Sequence, residues 1–267
     1  MSKTIWGCLV YCILSLSLIQ QALALDTARI ESKIHDLTNQ LRAEQKLPPL
    51  APLSGLQKIA RKHSQAMASQ GFFSHQDLDN HSPFDRMKLF LPGLLSMGSG
   101  ENIAMRSLSA NENTLAAAIF EQWKNSPGHY SNMISTGFRH LGVGIAINQT
   151  NLYATQNFAN GLVIASEPLM PSVITKSPAK LKFEYLADFP KSELSIFVHV
   201  PDTKARFYTA SGSFYTGGGP LEPKWLDQTH FEVEIPTDKG LGEYTLGIGR
   251  NGSYYDTPFG IKVIAKP

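Results

Sequence analysis

Cysteine is nearly absent from this chain of 267 residues: there are two, Cys8 and Cys12. Both lie within the first two dozen residues. Beyond them no thiol nucleophile, thiolate metal site or disulfide is available. Charge is sparse and balanced, with 24 lysines and arginines against 22 aspartates and glutamates, and 17% charged residues overall. That leaves no basic field for nucleic acid and no acidic tail. Internal repeats and low-complexity tracts are also missing. The apolar run over residues 5–19 is shorter than the ~20 residues a membrane span needs.

That run does fit an export signal. Lys3 precedes it and Ala22-Leu23-Ala24 fits the small-x-small cleavage rule. Residues 1–24 are therefore expected to be a signal peptide cut after Ala24. Leu25 follows the cut, so no cysteine offers lipid attachment there. The mature chain is expected to be secreted, or to sit in the periplasm or cell envelope, with no transmembrane anchor after processing. Without disulfides, a packed core must hold it.

Beyond residue 24 the periodicity changes midway. Ile30, Ile34, Leu37 and Leu41 recur at helical spacing between Asp26 and Lys46. Ser54 is placed to cap a second helix to Gln70, with Leu56, Ile59, Ala60, His63 and Met67 on one face. Ser82-Pro83 opens a short helix, and Asn111 to Lys124 carries another long one. LPGLLSMGSG (residues 91–100) reads as a loop, and Ser126-Pro127-Gly128 as a turn leading into His129. HLGVGIAIN and NLYATQNFAN then read as strands, an α+β pattern. SEPLMPSVITKSP, rich in Pro and Ser, reads as a linker. KLKFEYLA, ELSIFVHV, ARFYTASG, HFEVEIP, GEYTLGIG and GIKVIAKP follow as short strands of a small β-sandwich. The expected division is 25–165 for the α+β domain, 166–176 for the linker and 177–267 for an Ig-like, all-β accessory domain.

Three polar residues stand at expected element ends. His75 follows Phe72-Phe73-Ser74, Glu101 lies in GSGENIA, and His129 lies in WKNSPGHYSN. Two imidazoles and a carboxylate suit a divalent metal with water completing the shell. They suit an acid/base set equally well. Spacing alone leaves open whether the three meet.

Other features have plainer readings. Ser126 and Ser131 flank His129, but no G-x-S-x-G elbow supports a serine nucleophile. The G-x-G-x-x-G at Gly247, Gly249 and Gly252 lacks a following helix, and Asn251-Gly252 reads as a hairpin turn. Asp77, Asp79 and Asn80 read as a solvated turn. His63 reads as a core histidine that could support a cleft. Phe207, Tyr208, Phe214, Tyr215, Tyr254 and Tyr255 are either sandwich core or a surface for glycan or peptide.

FFSHQDL, SPFDRM, SGENIA, WKNSPGHYSNM, HLGVGIA and YATQNFA occur in an order that resembles the CAP superfamily, over roughly residues 28–162. This is the group of cysteine-rich secretory, antigen-5 and pathogenesis-related proteins, and the likeness is to its cysteine-free bacterial branch. The resemblance implies an α-β-α sandwich with a central cleft holding two histidines and two acidic residues that can bind zinc. It assigns His75, Glu101 and His129 to that set. Ser126 stands where animal members carry the second glutamate, and Glu121 should point elsewhere on its helix. The set is thus reduced to three, with Ser126 and Asn102 as further cleft residues and zinc held at most weakly.

The expected function is a binding or adaptor module. Its cleft would take a divalent ion weakly or a small apolar or lipid-like ligand, and its other surfaces an envelope or extracellular protein or a glycan. Catalysis ranks lower. In the rival metal-dependent hydrolase, perhaps a peptidase, Glu101 would be needed both as ligand and as base. A purely structural envelope role is the remaining alternative.

Overall fold

A computed structural model describes residues 25–108, 111–168 and 172–266. The signal-peptide expectation lies outside them. Among the described residues the amino-terminal half holds five helices: α1 (Thr27–Glu44), α2 (Ser54–Gln70), α3 (Pro83–Phe90), α4 (Glu112–Lys124) and α5 (Pro127–Ile134). Its strands are β1 (Ala51–Pro52), β2 (Leu94–Ser107), β3 (His140–Ile147) and β4 (Asn151–Ala165). This is a mixed α+β fold.

Local chemistry sets the helix ends. Asp26 caps α1 by accepting from Arg29 N, and Asn111 caps α4 through Thr114 N. Ser82 and Asp85 form a reciprocal capping box on α3, with Pro83 at the first position. Gly71 ends α2 in the left-handed conformation at φ 73°. Ser54 does not cap α2 as expected; it lies inside the helix, and Leu53 precedes it without a side-chain bond.

Two further expectations are corrected. Most of residues 91–100 is not loop: β2 begins at Leu94 and pairs antiparallel with β4, with register shifts between Leu95 and Ser99. The glycines that suggested a loop have another use there. A Cβ on Gly100 would meet the Phe138 ring at 2.9 Å, so the missing side chain admits that ring. Nor is His129 in a turn. Pro127 starts α5, and His129 is its third residue.

β4 is the spine of the sheet. β3 lies along one edge over residues 152–159, and β2 lies along the other. Alternation gives the sheet two covered faces. Leu141, Val143 and Ile145 of β3 share a core with Ile30 and Ile34 of α1, Trp123 of α4 and Met133 of α5. The intervening residues Gly142 and Gly144 face α2, where any Cβ would run into the backbone at Gln57 and Arg61. Helix and strand therefore pack in backbone contact. Helices cover both faces, giving an α-β-α arrangement.

The carboxy-terminal strands form two sheets over one core. β6 (Ala179–Tyr185), β12 (His230–Ile235) and β11 (Lys224–Trp225) make one. The other runs β10 (Gly218–Leu221), β7 (Leu194–His199), β13 (Gly242–Arg250), β14 (Ser253–Ile264) and β5 (Ser172–Ile174). β8 (Arg206–Tyr208) and β9 (Phe214–Thr216) form a separate hairpin. Phe183, Phe231, Ile248 and Phe259 are fully buried between the sheets. The aromatic residues thus divide, with Tyr208, Phe214, Tyr215, Tyr254 and Tyr255 exposed.

The stretch expected as linker is tied into the fold. Ser166 N donates to Lys182 O, and β5 within that stretch pairs parallel with β14. The end of β4 also pairs with β6 through Val163, Ile164 and Ala165. One sheet therefore passes from the helical half into the sandwich, and Leu95, Leu162 and Val163 lie in the sandwich core.

Candidate functional site

β2 delivers Glu101 and Asn102 to opposite faces of one sheet, because neighbouring strand residues alternate. Their cross-strand partners on β4 are Asn157 and Gln156. Each face thus carries a polar pair inside otherwise apolar packing.

On the α2/α3 face the Glu101 side chain is 1% exposed, and both its oxygens are engaged. His75 Nδ1 lies 2.9 Å from Oε1, and Arg86 Nη2 donates to Oε2 at 2.6 Å. Asn157, with its amide oriented by its neighbours, donates to Oε2 at 3.1 Å and accepts from Ala60 N at 3.2 Å. Arg86 also donates through Nη1 to the carbonyls of His75 (2.7 Å) and His81 (2.9 Å). One buried guanidinium thus fixes the carboxylate and the loop carrying His75. His63 completes this side, with Nε2 donating to Ser74 O at 2.9 Å and lying 3.9 Å from Glu101 Oε1. Burial pushes its pKa down, against the raising effect of Glu101.

A carboxylate only accepts, so the bond to Glu101 places a hydrogen on His75 Nδ1. That leaves Nε2 of a half-exposed ring as the free nitrogen. Glu101 therefore orients His75, as a carboxylate does behind a metal-binding or proton-transferring imidazole.

On the other face Asn102 is wholly buried. Its amide donates to Gln156 Oε1 (3.0 Å) and to the carbonyl of His129 (3.1 Å). Asn132 donates to Asn102 Oδ1 (2.9 Å) and to Glu101 O (3.2 Å). Gln156 continues the chain to Thr38 Oγ1 of α1 at 2.9 Å. Trp123 Nε1, donating to Ile103 O at 2.9 Å, pins the end of α4 to β2 and so sets where α5 begins. These contacts bring α5 to the edge of β2.

His129 Nδ1 is buried without a partner among the described residues. Burial lowers the His129 pKa, and the nearby His75 lowers it further. Both effects favour a neutral imidazole, the form that accepts a proton or binds a metal. Ser126 precedes α5, and its side chain makes no cap bond. Among the described residues no hydrogen bond joins it to His129, so nothing there activates it as a nucleophile.

The expected cleft residues therefore take different roles. His75 and Glu101 are in direct contact, and His75 is near enough to His129 to help lower the His129 pKa. Asn102 holds the backbone beneath His129. Among the described residues, His75, Glu101 and His129 do not form a set of ligand atoms lying within 4.8 Å of one another. Only Asp77, Asp79 and His81 meet that spacing, and the Asp77 carboxylate is committed to the turn through Asp79 N and His81 N. For zinc, the nitrogens that could serve as ligands are His129 Nδ1, which has no partner among the described residues, and His75 Nε2. Glu101 is better placed behind His75 than on the metal. No role was assigned from the sequence to Arg86, Asn132, Gln156, Asn157 or Thr38, although Arg86 lies in SPFDRM, Asn132 in WKNSPGHYSNM, and Gln156 and Asn157 in YATQNFA.

The family model described as "CAP: Cysteine-rich secretory protein family" matches residues 35–158. The chain carries a CAP domain. The uncharacterized protein YkwD of Bacillus subtilis is 40% identical over 114 residues, covering 43% of this chain and 41% of that protein. The uncharacterized membrane protein YlbC of the same organism is 33% identical over 129 residues, covering 48% and 34%. The chain thus spans well under half the length of these curated relatives. Among solved structures, an extracellular SCP-domain protein of Bacillus anthracis matches with 31% identity and a TM-score of 0.41, covering 49% of this chain and 40% of that one. The matched residues 35–158 include His63, His75, Arg86, Glu101, Asn102 and His129.

Proposed function

We propose that the protein is an exported binding module whose ligand enters the cleft between His75 and His129. The observation that carries this reading is the state of Glu101. A hydrolase would need that carboxylate free as base toward a metal-bound water. Here Arg86 holds Oε2 at 2.6 Å and His75 takes Oε1 at 2.9 Å. The cleft then offers two imidazole nitrogens and no free carboxylate. Phe73 and Leu78, on either side of His75 in sequence, are exposed, which supports a ligand with an apolar body. The same nitrogens would hold zinc weakly. The carboxy-terminal strands are read as an Ig-like accessory module that presents the CAP domain to an envelope protein or glycan.

Calorimetric titration of the chelator-stripped protein with zinc tests the cleft, beside His75→Ala, His129→Ala and Glu101→Gln. Weak binding should vanish in both histidine variants and drop in Glu101→Gln, which no longer fixes the His75 tautomer. Robust hydrolysis abolished by His75→Ala and His129→Ala would overturn the reading.

A further inference from the structure

Large exposed apolar side chains gather on α3. Phe84 is 51%, Leu89 55% and Phe90 43% exposed. The cations beside them are lysines, held against the same rings. Lys88 Nζ lies 4.4 Å from the Phe84 ring centre, and Lys62 Nζ of α2 lies 4.6 Å from that of Phe90. Lys58, Lys62, Phe90 and Leu91 line one recess of about 270 Å³. Phe84, Met87, Lys88 and Leu91 line a neighbouring one of about 530 Å³. Leu91 is common to both, so the two recesses, each beside one lysine–aromatic pair, adjoin at that residue. Its acidic groups are Asp85, which accepts from Ser82 in the capping box, and Asp256 on the far wall of the larger recess.

We infer that this surface docks on an anionic lipid bilayer, with Phe84, Leu89 and Phe90 entering the interface and Lys58, Lys62 and Lys88 meeting the lipid phosphates. The charge pattern carries the inference. Three exposed lysines surround a cluster of aromatic and leucine side chains, the composition of an interfacial segment. Stacking on the rings keeps two ammonium groups beside the apolar atoms, so one approach engages both. A patch of this kind with a polar rim is otherwise costly to leave open to water. The inference does not depend on what the cleft binds, because none of these residues belongs to it.

The test is sedimentation of the signal-peptide-free protein with vesicles of phosphatidylcholine alone and of equal parts phosphatidylcholine and phosphatidylglycerol, at low and high salt. Binding is expected on the anionic vesicles only and should weaken with salt. Each of Lys58→Gln, Lys62→Gln and Lys88→Gln should reduce partition about fivefold. Leu89→Glu should abolish it. Glycerol phosphate in solution should not compete, which separates a bilayer from a headgroup site. Circular dichroism checks the fold, and if Leu89→Glu fails to fold, the three lysine variants decide. No binding to anionic vesicles, equal binding to neutral ones, or binding unchanged by the lysine variants would overturn the inference. Capture by an acidic protein without vesicle binding would overturn it in favour of a protein partner.

Discussion

Arg86 Nη2 and Glu101 Oε2 are 2.6 Å apart, and both side chains are almost wholly buried. The pair joins α3 to β2, and through the Arg86 bonds to His75 O and His81 O it also holds the loop between them. Removing one partner of a buried ion pair leaves the other charge uncompensated, at a cost of about 3–5 kcal/mol. Arg86→Met should lose stability on that scale in urea unfolding. The double variant Arg86→Met/Glu101→Leu should recover part of the loss. A single variant as stable as wild type would show that the pair is not intact in solution.

Acid should destabilise the protein through its buried histidines. The pKa values of His35, His63 and His140 are all lowered from 6.5, with burial the first cause in each. The unfolded chain then takes up protons before the folded one. Stability is fully present above about 6.5 and falls as pH drops below it. Urea midpoints at neutral pH and about one unit below 6.5 should show the decline. His63→Phe should lessen it; a flat profile would count against neutral, buried imidazoles.

The contact between α2 and β3 leaves no room for a methyl group. Gly144→Ala would drive a Cβ into the backbone at Ala60 and Arg61. Overpacking of this kind costs about 1–3 kcal/mol, and more where backbone cannot move. Thermal unfolding should show a clear loss. Gly128→Ala, with open space around its Cβ position, serves as the control and should change little.

A fragment ending at residue 165 should not behave as a free domain. Leu95, Leu162 and Val163 belong to the sandwich core, and the fragment would expose them along with the unpaired end of β4. Such an edge favours association. Size-exclusion chromatography and dye binding should report aggregation or exposed apolar surface. A monomeric fragment with the full chain's Tm would refute this.

Much of the helical half was legible because its signals are local. Apolar spacing gave α1, α2 and α4, and Ser82-Pro83 opens α3 as expected, whereas the cap expected of Ser54 falls one residue earlier, at Leu53. The first part of β2 was not legible, because its glycines serve distant rings and bulges; only the partner strand shows why they are there. α5 was hidden because Pro127 can open a helix as readily as a turn. At the site, His75, Glu101 and His129 could be named from the ordered motifs. Their division of labour could not, because it depends on Arg86 reaching across from α3 and on β2 placing Glu101 and Asn102 on different faces. The sandwich strands were visible by alternation. Their union with the amino-terminal sheet was not, since Pro and Ser in residues 166–178 read as a break.

The alternation of Glu101 and Asn102 makes the cleft depend on a single alignment. A slip of one residue between β2 and β4 would exchange the carboxylate and the amide. Glu101 would then sit against Thr38 and Gln156 with no cation, and Asn102 would face Arg86 with no charge to offer. Each misplacement leaves a buried ion alone. The buried polar residues behind the two histidines therefore act as a lock on the zipper: the side chains that orient His75 and hold the backbone of His129 allow β2 to close on β4 in one way only.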